Sequence, residues 1–219
     1  MTSAVAHSRP RRRRKEARPQ ELTAAALSLF VEKGFAATRL DEVAARAGVS
    51  KGTLYLYFDS KEALFKAVIA EGVVPVIEQG EALLQDFPGD PVALLRAILF
   101  GWWERIGNTE LGGVPKLMFS EARNFPDVAA YYHEAVIHRG QRLIRLAINR
   151  GIEQGVFRQV DIETICNVLI SPLLHLALWR HSFASCCARD MDAERYLECY
   201  FDMVMNGLGA ASVPSGDPS

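Results

Sequence analysis

The sequence predicts an all-α protein of about nine helices, and three observations carry that expectation. Apolar residues recur at helical spacing along most of the 219 residues. Glycine, proline or polar clusters separate one periodic stretch from the next. Downstream of Phe65 β signals are almost absent. With 49% of residues apolar, the chain can bury the core of a small three-helix domain and of a larger helical domain behind it. The expected divisions are residues 1–18, a disordered basic arm; 19–66, the three-helix domain; 67–209, the larger domain; and 210–219, a disordered tail.

The arm is the run R-P-R-R-R-R-K-E-A-R from Arg9 to Arg18, with seven basic residues and one acid. It suits a minor groove or a line of phosphates, or serves only as a solubilising tail. No apolar stretch follows it, so it does not read as an export signal. An amphipathic helix follows from Glu21. Thr38 is then an N-cap, with Asp41 at capping-box spacing ahead of Leu40, Val43, Ala44 and Ala47. Gly48 suits a left-handed turn, and Ser50 caps a helix expected to run through Phe58. Asp59 or Ser60 caps the next helix from Lys61, with Asp59 and Glu62 again at capping-box spacing. Two short helices across a tight turn read as a helix-turn-helix.

Helical periodicity continues from Lys61 towards Phe87, from Pro91 to Ile106, Val114 to Asn124, Asp127 to about Gln154, Asp161 to Arg180 and Ala193 to Leu208. The longest nearly apolar segment, Val168 to Trp179, contains Ser171, Pro172 and His175. It is shorter than the roughly 20 residues that span a bilayer, so a soluble, cytoplasmic chain with no membrane partner is expected.

On the second helix of the pair, Leu54 and Phe58 share a face that should point inward with Val49. Gly52, Thr53 and Leu56 then occupy the outer arc, flanked by Lys51 and Tyr55 on one side and Tyr57 on the other. This is groove chemistry. Glycine admits close approach, Thr53 offers a hydroxyl and a methyl, and Lys51, Tyr55, Tyr57 and Lys61 suit phosphates. Charge agrees: residues 1–66 hold 13 Lys plus Arg against 7 Asp plus Glu, a net of +6, while the remainder carries 12 against 19, a net of −7. Salt-sensitive binding of double-stranded DNA by the basic end is expected.

Residues from about Glu21 to Phe65 resemble the DNA-binding domain of TetR-family transcriptional regulators. The matching pieces are F-V-E-K-G-F-A-A-T at Phe30 to Thr38, A-x-x-x-G-V-S at Ala44 to Ser50 and K-G-T-L-Y-L-Y-F-x-S-K-E-A-L at Lys51 to Leu64. The resemblance implies a homodimer on a palindromic operator, usually a repressor released by a small molecule bound in the C-terminal domain. It places the family's DNA contacts on Thr38, Lys51, Gly52, Thr53, Tyr55, Tyr57 and Lys61. Arg39 departs from the small or β-branched residue usual there, and either adds a phosphate contact or is solvated.

The last two helices are apolar on more than one face, with Leu169, Leu173 and Leu176 in the first and Tyr200, Phe201 and Met205 in the second. A two-fold interface would cover them, and central helices of a monomer would look similar. Trp102, Trp103, Phe119, Tyr131, Tyr132, His175 and Trp179 are the aromatic candidates to line a pocket for a small apolar or aromatic effector. Arg139, Arg142 and Arg145 suit an anionic ligand or simply form a charged outer face. His133 and His138, five apart, do not share an α-helical face, so a histidine metal site is not expected. Cys166, Cys186, Cys187 and Cys199 form no CxxC and, in a cytoplasmic chain, no disulfide framework. The adjacent Cys186 and Cys187 leave thiol-based sensing as an alternative. No catalytic motif, Walker loop or dinucleotide fingerprint occurs, so neither an enzyme nor a cofactor is expected. The rival from another class is a ligand-independent DNA-packing protein.

Overall fold

The computed structural model describes residues 11–85, 87–184, 186 and 191–210. Among them the chain is all-helical. The helices are α1 (Arg11–Lys33), α2 (Leu40–Arg46), α3 (Lys51–Tyr55), α4 (61–85), α5 (91–107), α6 (Gly113–Glu121), α7 (126–153), α8 (Ile162–Arg180) and α9 (Ala193–Leu208). Three of them contain a π-helical turn: Ile69–Val73 in α4, Trp103–Gly107 at the end of α5 and His133–His138 in α7. A short 3-10 turn, Glu110–Gly112, leads into α6. A single bridge between Phe157 and Gly209 ties the end of α9 to the loop after α7.

One expectation about the ends needs revision. Helix α1 begins at Arg11, inside the segment expected to be disordered, because its arginines, Lys15, Glu16 and Ala17 are all good helix formers. Residues 1–10 and 211–219, expected to be unstructured, lie outside the described residues. Helix α8 is 19 residues long, so by length and composition alone it is sufficient to cross a membrane. Here it is an ordinary packed helix, with Cys166, Leu169, Leu173, Leu176 and Ala177 buried against α5, α6, α7 and α9.

The caps follow the local chemistry with one substitution of roles. Ser50 accepts the Thr53 amide at 3.1 Å, Ser60 accepts that of Ala63 at 3.0 Å, and Asp90 and Asp192 cap α5 and α9. Gly48 turns the chain between α2 and α3 at φ +68°, a conformation that other residues enter only at a cost. The cap of α2, however, is Arg39, whose amide donates to Glu42 at 3.3 Å. Thr38 is buried instead, and its hydroxyl donates to the carbonyls of Gly34 and Leu29 at 2.8 and 3.2 Å. Helix α3 ends at Tyr55, three residues short of the expected Phe58, although the Phe58 amide still reaches the Leu54 carbonyl.

Two apolar clusters hold the molecule together. The first starts in the three-helix head, where Phe30, Phe35 and Phe65 meet with ring centroids 5.1 to 5.3 Å apart, and continues along α4 to Ile77 and Leu143. The second joins Leu95, Leu99, Ile144, Leu169 and Phe201 of the rear helices. Leu84, Ile98 and Trp102 touch both. Helix α4 passes from one region to the other, and Pro75 inside it accounts for its π turn. Proline lacks an N–H, and in a regular helix its ring collides with the carbonyl four residues back. The turn just before it widens the helix so that Val74 bonds Ile69, five residues away.

Candidate nucleic-acid interface and the cavity behind it

Helix α3 presents the outer face that its sequence implies. Leu54 and Phe58 are buried, while Lys51, Gly52, Tyr55 and Leu56 are exposed, Leu56 at 83%. A Cβ on Gly52 would meet nothing closer than the Ser50 hydroxyl at 3.9 Å, so the backbone is open to close approach. Thr53 is half-buried with its hydroxyl 2.9 Å from that of Ser50. The Lys51 ammonium sits 5.9 Å from the Tyr55 ring centroid, on the solvent side.

Two of the expected contacts are occupied otherwise. Thr38 is 2% exposed, because its hydroxyl closes the loop between α1 and α2, and its side chain does not reach the surface. Lys61 donates to the carbonyls of Phe35, Ala36 and Thr38 at 2.7, 3.0 and 3.1 Å, with its ammonium 4.7 Å from the Phe35 ring centroid. All three N–H donors are used. Partial burial pushes this lysine below its ordinary pKa, with Glu62 and Glu121 opposing. It holds the loop that carries α2 and lends only its charge to the surface. Lys33, Arg39 and Arg46 are likewise paired, with Glu42, Asp41 and Glu32 at 2.9, 3.1 and 2.5 Å. Arg39, considered as a phosphate contact, donates to Asp41 and lowers the pKa of that carboxyl.

Behind the head lies a cavity of about 690 Å³, part-open to solvent, walled by α4 to α8. It occupies the seam between the two clusters: Ile77 and Leu143 of the first and Leu99 and Ile144 of the second all line it. Of the aromatic candidates, Trp102, Phe119 and Tyr132 line it. Trp103, Tyr131, His175 and Trp179 do not. Neighbouring residues on a helix point about 100° apart, so Trp102 faces the cavity while Trp103 is buried in the second cluster. On α8 the cavity stripe is Asn167, Ile170 and Leu174. His175 and Trp179 lie on the next stripe, where His175 stacks near Tyr196 and Trp179 near Phe183.

Of the two readings of the arginines, Arg139 and Arg145 fit the charged face. Arg139 grips Glu81 at 2.6 Å and Arg145 grips Glu163 at 2.7 Å, which leaves Arg105, not singled out from the sequence, on the wall. Both imidazoles approach the exposed Glu134 carboxylate, at 3.5 and 3.7 Å, His133 as its neighbour in the chain and His138 from four residues further on. Cys166 is buried, and that burial pushes its thiol up, away from reactivity. Cys186 is exposed, and Cys187 lies outside the described residues.

Residues 22–68 match the sequence profile of the bacterial regulatory proteins, tetR family. The HTH-type transcriptional regulator RutR of Escherichia coli K12 is 38% identical over 93 residues, covering 42% of this chain and 43% of that one. The chain spans less than half the length of the curated relatives it matches first. Among solved structures, the TetR-family regulator PfmR from Thermus thermophilus is 27% identical, covers 84% of this chain and 97% of its own, and superposes with a TM-score of 0.69. A transcriptional regulator from Saccharomonospora viridis in complex with choline shares the fold at 20% identity and a TM-score of 0.73, covering 89% and 98%. The helix-turn-helix with its exposed α3, the family profile and these relatives agree: residues 22–68 form a DNA-binding domain of the tetR family of bacterial regulatory proteins, and the helices behind it share the fold of TetR-family regulators.

Proposed function

We propose that the chain is a cytoplasmic homodimeric repressor that holds a palindromic operator and is released when a small molecule with a large apolar body enters the cavity. The supporting observation is the path of α4. It begins at Lys61, which clamps the loop carrying α2, and its residues Val76, Ile77 and Gly80 form cavity wall. Sixteen residues of helix separate Lys61 from Ile77, about 24 Å at 1.5 Å per residue. A ligand that spreads the wall shifts the angle at which α3 is presented, and a dimer needs its two recognition helices about 34 Å apart to read one face of DNA.

The dimer reading draws on α8 and α9. Val168 (52% exposed), His175, Cys199 and Met203 (69% exposed) leave an uncharged, partly apolar strip facing outward. Lys51, Gly52, Thr53, Tyr55 and Tyr57 are the proposed DNA contacts. Residues 19–66 are then the reading head and 67–209 the effector and dimer body.

Selection from random duplexes at near-physiological salt, run beside a Lys51→Ala, Tyr57→Ala double variant, tests the reading. An enriched palindrome that the variant loses is the expected result. Salt-sensitive binding without enrichment refutes the operator reading in favour of DNA packing. The lever is tested at Gly72, where a Cβ would stand 2.5 Å from the Leu111 Cδ2. Gly72→Ala should change release by ligand more than affinity for DNA alone, and unchanged release discards α4 as the connection.

A further inference from the structure

The polar groups on the cavity wall are one-sided. Among the described residues no aspartate or glutamate lines it, whereas Arg105 and His133 do. Arg96, Arg139 and Arg145 of the same helical body each hold a glutamate. The Arg105 guanidinium has no hydrogen-bond or ion-pair partner among the described residues. It folds back over Gly101, itself part of the wall, where a Cβ would stand 2.8 Å from Nη1. The absent side chain leaves the guanidinium its seat.

A second donor is independent of the first. Tyr132 is 8% exposed and lines the cavity, yet its hydroxyl has no partner among the described residues. Burial pushes the phenol above its ordinary pKa, so it stays a neutral donor. Gln141 and Asn167, also on the wall, satisfy each other at 3.0 Å. The guanidinium of exposed Arg105 and the hydroxyl of buried Tyr132 are thus two donors beside an otherwise apolar space, where one acceptor from outside can meet both.

Resting on the reading of this cavity as the effector site, we infer that its ligand is an amphipathic organic anion, a carboxylate on a large apolar body. The carboxylate meets the Arg105 guanidinium, whose planar fork matches two oxygens at once, and the Tyr132 hydroxyl. The apolar body lies along Ile98, Leu99, Trp102 and Met118. A cationic ligand of the same shape would face the like charge of Arg105, and a neutral one would leave the guanidinium unpaired.

The test is calorimetric titration of the full chain with dodecanoate, dodecan-1-ol and dodecyltrimethylammonium, each below its micelle-forming concentration. Dodecanoate should bind about tenfold more tightly than the alcohol, as one charge-assisted contact warrants, with the cation weakest. Arg105→Gln, at an exposed position, should erase that preference, and Tyr132→Phe should reduce it. Gly140→Phe should abolish binding of all three, because Gly140 is wall and a Cβ there meets only Ile77 Cδ1, at 3.9 Å. Equal affinities, or a preference that survives Arg105→Gln, overturn the anion assignment and leave the cavity as a ligand site. No binding of any probe, or binding untouched by Gly140→Phe, removes the cavity reading and the assignment with it.

Discussion

Phe35 in the head touches three other rings, Phe30, Phe65 and Phe125, at centroid distances of 5.1, 5.2 and 4.6 Å. The body, built from more helices, leaves about 690 Å³ unfilled between its two clusters. The head is packed solid around its helix pair, while the body keeps an open space between its helices. Phe125 links them, since it comes from the loop before α7 yet completes the head's aromatic core. Helix α4 and this ring are thus two packed connections between the body and the head.

The largest expected effect tests that contrast in packing. Phe35→Ala, at a fully buried site, should cost about 4 kcal/mol, and Leu99→Ala, on the cavity wall, only about 2 kcal/mol, because part of its surroundings is already empty. Urea unfolding measures both, and equal costs would break the comparison. Next come two lysines ten residues apart. Lys61→Met should cost about 2 to 3 kcal/mol by leaving three carbonyls unpaired. Lys51→Met should leave stability within about 0.5 kcal/mol while lowering the salt slope of DNA binding by about one. A Lys61→Met protein as stable as the parent would return that lysine to the DNA contacts.

Filling the two regions should have opposite signs. Gly140→Leu should stabilise by about 1 kcal/mol through helix propensity and occupied space, whereas Ala26→Val in the fully buried head core should destabilise by about 1 to 2 kcal/mol. Thermal unfolding of both variants sharpens the contrast or removes it. The smallest effect is at the joint. His181 is half-buried with Nε2 3.0 Å from the Thr109 carbonyl, and burial lowers its pKa from the ordinary 6.5. The folded state therefore binds its proton less readily than the unfolded state. The stability this neutral imidazole contributes is complete above 6.5 and is lost as pH falls through the lowered folded value. His181→Gln, which keeps a donor, should flatten melting temperature against pH between about 5 and 7.

Much of the head was legible because its signals are local. Gly48, Ser50 and the inward pair Leu54 and Phe58 each act within a turn or two of helix, and the bounds of α4 to α9 follow from breaks beside them. What occupies the Lys61 ammonium was not legible for the opposite reason: its partners lie in the loop at the end of α1, 23 residues before it in the case of Thr38. The Arg105 guanidinium was invisible since its interest lies in a partner it lacks. Which of Trp102 and Trp103 faces the space depended on one step of helix rotation that composition does not encode.

The sequence by itself determined the nine helices of the described residues, the helix-turn-helix, the outward face of α3 and the basic head before an acidic body, because capping, periodicity and charge are properties of near neighbours. Only the tertiary structure decided that Lys61 braces the loop after α1, and that the seam between two clusters stays open beside Arg105 and Tyr132. Those depend on which surfaces meet across long stretches of chain, and a cavity is set by how well helices fill the space between them rather than by any one helix.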